Sequence, residues 1–262
     1  MASIVSVPIL MYHRVTPISA GSVDRYAVTP KRFAAQMRLL ALARYAPITI
    51  AELVRCWSGQ KAPPRRAVVI SFDDGFRDCV EFAVPVLQRH RFPAVFYLVA
   101  GLMGETSRWM RAAGGAEFPL MDWAAARALQ DAGMQCGAHS VTHPALADCS
   151  PAEARRELVE SRQRLEDRLG GEVAHFAYPY GSVSPQVCAL AAEVGYLSAC
   201  ATDKRLATAQ DDLLRLPRVP VYGGESLMDF ACRLHTARRP RELVRDKLRG
   251  ARLLGGPGRR GP

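Results

Sequence analysis

Asp73 and Asp74 stand side by side at the end of an uncharged run, Ala67-Val68-Val69-Ile70-Ser71-Phe72, and Gly75 follows them. Two carboxylates this close repel each other, and both stay ionised only where a metal ion, an arginine or protonation of one of them relieves the charge. A metal would need further ligands, and neutral nitrogens are the natural ones. His139-Ser140-Val141-Thr142-His143-Pro144 offers two imidazoles four residues apart, which meet on one face if the segment is helical or tightly turned. One Asp with two His leaves coordination positions open for water and substrate. His13, His90, His175 and His235 each stand alone. The plain alternative for any single motif is an Asp pair that caps a helix, or a His that satisfies loop backbone.

Residues 67–72 have no polar face, which fits a strand buried on both sides. Gly75 lets the chain turn into a helix over 76–90, whose N-terminus favours negative charge beside it. Upstream, residues 5–13 read as a strand. Thr29 and Pro30 cap and start a helix carried on by Phe33, Met37, Leu40 and Arg44; Ile48 is a short strand and residues 51–57 a second helix. Downstream, strands are expected at 94–99, 134–138, 173–178, 196–201 and 214–221. Helices are expected at 122–132, 151–169 and 185–194, with a Gly-rich loop over 101–120. Strand and helix thus alternate about seven times, with Asp73, Asp74, His139, His143 and Tyr180 just after strands. Such alternation argues for a parallel sheet, and chemistry-bearing residues at strand C-termini argue for a barrel with one active face.

The 262 residues suffice to bury such a barrel as one domain. No run of 18 apolar residues occurs and Met1-Ala2-Ser3 lacks a basic signal-peptide start, so a cytoplasmic protein is expected. The seven Cys are dispersed and form no C-x-x-C pair, which fits reduced buried thiols better than disulfides or a Cys-ligated zinc site. The net charge of +10 is uneven: ten of the 35 Lys and Arg, but two of the 25 Asp and Glu, lie from Arg233 onward. Periodicity over 240–254 predicts a basic helix with Leu243, Val244, Leu248, Ala251 and Leu254 along one face, a candidate for peripheral contact with an anionic membrane. The expected division is a barrel over 1–235 and a basic helix with a disordered tail over 236–262. No nucleic-acid partner is expected.

Ser71-Phe72-Asp73-Asp74-Gly75, His139-x-x-x-His143-Pro144 and Phe176-Ala177-Tyr178-Pro179-Tyr180-Gly181 resemble, in order and spacing, the signature motifs of the polysaccharide deacetylase family (NodB homology, carbohydrate esterase family 4). The opening Val7-Pro8-Ile9-Leu10-Met11-Tyr12-His13-Arg14-Val15 resembles the branch with the poly-N-acetylglucosamine deacetylases, whose barrel is circularly permuted. The resemblance covers roughly residues 5–222. It implies a distorted (β/α)7 barrel of the NodB type that removes N-acetyl groups from an N-acetylated sugar or polysaccharide. It also implies a divalent metal, Zn2+ first, with Co2+, Ni2+ or Fe2+ fitting the same ligands. A cytoplasmic location would make the substrate a sugar nucleotide or a lipid-linked glycan reached by the basic tail.

Carried over where the motifs match, Asp74, His139 and His143 would hold the metal and Asp73 would be the general base. The backbone N–H of Tyr180 would stabilise the oxyanion. The general acid implied for this branch is His13, at the end of the opening strand, with His235 in Arg233-Leu234-His235 as the alternative. His90 and His175 read as structural. Where many relatives carry an Arg that pairs with the base, this chain has Ala177. Arg218, in Leu216-Pro217-Arg218-Val219, matches a recurring Leu-Pro-Arg element of the branch and is the candidate partner for Asp73. Trp109 is expected either to stack on a sugar ring or simply to pack. The competing functions are an O-acetyl esterase or sugar deformylase using the same metal site, and a non-catalytic glycan-binding homologue, which draws on Ala177.

Overall fold

The computed structural model describes residues 6–17 and 25–238. Seven parallel strands frame it: β1 (Ile9–Tyr12), β2 (Ala67–Phe72), β3 (Val95–Leu98), β4 (Gln135–Ala138), β5 (His175–Ala177), β6 (Ser198–Cys200) and β7 (Val219–Pro220). They lie side by side in the order β6-β5-β4-β3-β2-β1-β7. A parallel bridge between Cys200 of β6 and Leu216, just ahead of β7, brings the two ends of the sheet together. This is the distorted (β/α)7 barrel of the NodB type, with the last strand beside the first.

Around the strands run α1 (Pro30–Leu42), α2 (Ile50–Trp57), α3 (Arg77–Phe82), α4 (Val84–His90), α5 (Arg108–Ala112), α6 (Trp123–Asp131), α7 (Pro151–Leu169), α8 (Pro185–Val194) and α9 (Leu227–Thr236). Thr29, Thr49, Asp122, Ser150, Ser184 and Ser226 each accept a first-turn amide, which is why these helices begin where they do. Strand alternation sorts the side chains into two cores. Leu10, Tyr12, Ile70, Phe72, Phe96 and Leu98 pack with Phe33, Met37 and other helix residues, while Ile9, Val69, Val95, Tyr97, Ala177, Cys200 and Leu216 fill the barrel. The rings of Tyr12, Phe72 and Phe96 stack across neighbouring strands at centroid separations of 5.3 and 4.6 Å. Continuing the same alternation, Asp73 falls on the barrel side with Val69, and Arg218 with Leu216.

Some expected boundaries move, each for a physical reason. The helix expected over 76–90 is two, α3 and α4, broken at Ala83 because Pro85 has no N–H to continue the ladder. Arg44 lies beyond α1 with φ 55°, so it is not part of that helix. The segment 101–120 contains α5 and is not wholly a loop. The strand expected over 214–221 shrinks to β7 behind a 3-10 turn, since Pro217 and Pro220 cannot donate to a ladder. The basic helix expected over 240–254, and the tail after it, lie outside the described residues. No helix among the described residues is long and apolar enough to cross a membrane.

His175 opens β5 and is buried, with Nδ1 2.9 Å from the Ser198 hydroxyl. Burial, aided by the Arg55 charge, pushes its pKa down to about 4. The folded protein therefore keeps it neutral while the unfolded chain takes up a proton below about pH 6.5. Its contribution is fully present above that pH and is lost as pH falls toward 4, by about 1.4 kcal/mol per unit and about 3 kcal/mol in all. Denaturant titrations between pH 7 and 4 are expected to find His175→Gln less pH-dependent than wild type; equal slopes would remove His175 as the cause.

Candidate metal and catalytic site

After β2 the backbone turns left-handed at Asp74 and Gly75, both with φ 72°. A Cβ on Gly75 would come 3.1 Å from the Leu98 side chain, so this turn is made by a residue without one. Ser140 (φ 65°), His143 (φ 67°) and Tyr180 (φ 59°) share this unusual conformation. Four of the eight described non-glycine residues with positive φ thus gather at one place, at a cost of about 1–3 kcal/mol each. Gly181 closes the Pro179–Gly181 turn against Thr202, where a Cβ would sit 2.0 Å from the hydroxyl oxygen.

The segment between His139 and His143 is tightly turned, not helical. Glu157 on α7 reaches it from behind: one carboxylate oxygen accepts from the Val141 and Thr142 amides at 2.7 and 2.9 Å, the other from the Thr142 hydroxyl at 2.7 Å. Ser140 Oγ accepts from the His143 amide at 2.9 Å. His139 and His143 are thereby aimed at Asp74, each with Nε2 3.2 Å from Asp74 Oδ1. All three residues are buried, and their ligand atoms lie within 4.8 Å of one another.

The donor chemistry of this trio fits a divalent metal. The Ala177 carbonyl, 2.7 Å from His139 Nδ1, can only accept, so Nδ1 carries a hydrogen and Nε2 is the ring atom left to face Asp74. Nε2 and a carboxylate oxygen at that distance attract only with a proton or a metal ion between them, and one ion can serve both rings at once. Burial works against ionising Asp74, yet the His139 and His143 rings hold its carboxyl well below the usual range. Burial pushes His143 down, toward the neutral form in which imidazole ligates.

Asp73 is held differently. Arg218, fully buried, grips it with two parallel bonds of 2.6 and 2.7 Å and donates its Nε–H to the Ala201 carbonyl at 3.0 Å. Burial opposes the charge on Asp73, and the Arg218 guanidinium, with His139, outweighs it and keeps the carboxyl below its ordinary value. The same partner raises the Arg218 pKa against its own burial.

His13 follows β1 and lines the same cleft, a space of about 620 Å³ that also meets Asp73, Asp74, Trp109, His143 and Tyr180. Its ring stacks on Tyr26 at 4.3 Å, and its buried Nδ1 meets no partner among the described residues. Tyr180 is 58 % exposed and sets its ring edge-on to His143 at 4.6 Å. Trp109 stacks on the same His143 ring at 4.2 Å. His235 is elsewhere, 3.5 Å from the Tyr45 hydroxyl, beside the short Ala46–Pro47 strand that pairs with the start of β2. It is at the opposite end of the barrel from Asp73.

Glu157, the Ala177 carbonyl and Tyr26 escape a reading of the sequence. Glu157 left one signal: it is a carboxylate on the buried stripe of α7 with Ala154, Leu158, Ser161 and Leu165. Glu157→Ala is expected to weaken metal binding about 10- to 100-fold by releasing the His139–His143 turn. Titration of the purified variant with Zn2+ checks this; an unchanged affinity would mean the turn holds itself.

A family model described as polysaccharide deacetylase matches residues 60–199. The Bacillus subtilis protein YxkH, whose name places it in the same family, is 25% identical over 219 residues, 84% of this chain and 72% of its own. The poly-beta-1,6-N-acetyl-D-glucosamine N-deacetylase of Staphylococcus epidermidis is 25% identical over 236 residues, 81% of this chain and 78% of its own. Among solved structures, the Streptococcus pyogenes deacetylase PplD in complex with acetate superposes with a TM-score of 0.79 at 24% identity, over 89% of this chain and all of that one. IcaB from Ammonifex degensii gives 0.71 at 24% identity, over 82% and 91%.

Proposed function

Since the chain belongs to the polysaccharide deacetylase family, we propose that it is a metal-dependent hydrolase that removes N-acetyl groups from an N-acetylated sugar or polysaccharide. The observation that carries this reading is the buried Asp74, His139 and His143 cluster beside a carboxylate, Asp73, that an arginine keeps ionised. Asp74, His139 and His143 would hold the metal, Zn2+ being our choice for two nitrogens and one oxygen. Such an ion, when bound, supplies Lewis acidity to a carbonyl and lowers the pKa of water.

The chain's own residues do the rest. Asp73, ionised at neutral pH, takes the proton of the attacking water, and Arg218 fixes both its carboxylate oxygens so that it stays a base. The Tyr180 N–H, turned by the left-handed backbone there, donates to the developing oxyanion. His13, held by Tyr26, delivers the proton that the departing amine needs. Trp109 excludes water from the face of His143 on which it stacks. The Arg218 pair with Asp73 supplies the partner that Ala177 lacks, which supports a catalytic reading over a non-catalytic one.

Release of acetate and of formate from amide and ester sugar substrates tests the specificity. Acetate from the amide is the expected product. Turnover confined to esters or to formamides would replace the reading with an esterase or a deformylase.

A further inference from the structure

We infer that the acetamido sugar this protein acts on carries an anionic group, a phosphate or a carboxylate, on the reacting residue or its neighbour, and that Arg25 and Lys204 receive it. The inference rests on the deacetylase reading and narrows its substrate.

Among the described residues, the charges lining the cleft are Arg14, Arg25, Lys204, Asp73 and Asp74, besides the two cluster imidazoles and His13. Three of these charges are committed. Asp73 is neutralised by Arg218, Asp74 faces the two imidazoles, and Arg14 is bound to Asp78 at 2.7–2.8 Å. Arg25 and Lys204 are not: among the described residues neither forms an ion pair. With the metal that the deacetylase reading gives it, this described lining would present a surplus of positive charge to whatever enters. This surplus is not the background of a basic protein. Of the 35 Lys and Arg and 25 Asp and Glu, ten and two lie from Arg233 onward, which leaves 25 and 23 before it. A nearly neutral body thus opens on a cationic cleft.

Position adds to charge. The Arg25 carbonyl accepts the Gly223 amide beyond β7 at 2.9 Å, and the Asp203 carbonyl beside Lys204 accepts the Arg218 amide ahead of β7 at 3.1 Å. Both cations therefore rise from the sector of the rim where β6, β7 and β1 meet. Arg25 is held over aromatic rings, 4.8 Å from the Tyr26 centroid and 5.7 Å from that of Tyr222, and donates one N–H to the Tyr26 hydroxyl at 2.9 Å. Tyr26 in turn stacks on His13. A guanidinium stacked in this way loses little entropy on binding and keeps a fork suited to two anion oxygens. Arg25 and His13 both contact the Tyr26 ring, which puts the cation one ring away from the proposed proton donor. Lys204, exposed on its flexible stem, adds a second, less directional charge.

The test compares acetate release by the metal-loaded enzyme from three acetamido substrates: neutral N-acetylglucosamine oligomers, oligomers alternating N-acetylglucosamine with a hexuronate, and a nucleotide diphosphate N-acetylglucosamine. At least one anionic substrate is expected to exceed the neutral one in kcat/KM by about tenfold or more at low salt, with the advantage shrinking as salt rises. Which of the two prevails identifies carboxylate or phosphate. In Arg25→Glu/Lys204→Glu, with metal content measured alongside, the anionic-to-neutral ratio is expected to fall about tenfold. Equal or better turnover of the neutral oligomers, or a ratio the double variant leaves unmoved, would overturn the inference and leave the deacetylase reading intact. No acetate from any of the three would overturn both.

Discussion

Asp73→Asn is expected to lower kcat for acetate release by about two to four orders of magnitude while leaving the fold and the metal stoichiometry unchanged. The amide keeps the size and one acceptor oxygen of the carboxylate but cannot take a proton. Asp73 is not part of the Asp74, His139 and His143 cluster, so the variant leaves all three ligand side chains in place. The variant leaves the fully buried Arg218 guanidinium facing a neutral group, which costs stability. A melting curve must accompany the kinetics, so that a loss of turnover in a folded, metal-loaded protein is separated from unfolding. Turnover within about tenfold of wild type would assign the proton transfer to another group.

Removing the arginine gives a second large effect with a different signature. Arg218→Gln leaves a buried carboxylate without its cation, at an expected cost of about 3–5 kcal/mol. The sign for Asp73 follows from its wild-type state. With Arg218 its pKa lies below the ordinary carboxyl value, so the pair contributes stability that is present above about pH 4 and lost as pH falls through the lower folded value. Without Arg218, burial dominates and the pKa rises. The acid limb of kcat is therefore expected to move to higher pH by about one unit or more, with activity partly restored in alkaline buffer. The Asp73→Asn/Arg218→Gln double variant is expected to cost less stability than the sum of the singles, because no charge is left unpaired. A pH profile that does not move would confine Arg218 to a structural role.

How far the sequence foretold this site depends on the kind of contact involved. Buried runs and strand-end positions were legible, because a barrel strand has a continuous apolar signature and α7 carries its own cap, proline and terminal glycine. The Asp74, His139 and His143 grouping was legible through spacing, but not the means of achieving it. That depends on Glu157, which lies 14 residues past His143 and acts through backbone amides, for which no side-chain motif exists. Arg218 and Asp73 were matched through the resemblance; the two-pronged grip requires the strand alternation that turns both side chains into the barrel. Tyr26 on His13 and Trp109 on His143 are contacts between a loop and a strand end, and no periodicity predicts those. The misplaced boundaries at Ala83 and ahead of β7 came from reading periodicity through prolines.

The measurement that bears most directly on the central claim is metal content together with acetate release, made on one preparation before and after chelation and after Zn2+ is restored, with both neutral and anionic acetamido sugars supplied. One ion per chain is expected, with acetate release that disappears with the ion and recovers when it returns. Full activity in metal-free protein, or a chain that binds no ion under any reconstitution, would contradict it.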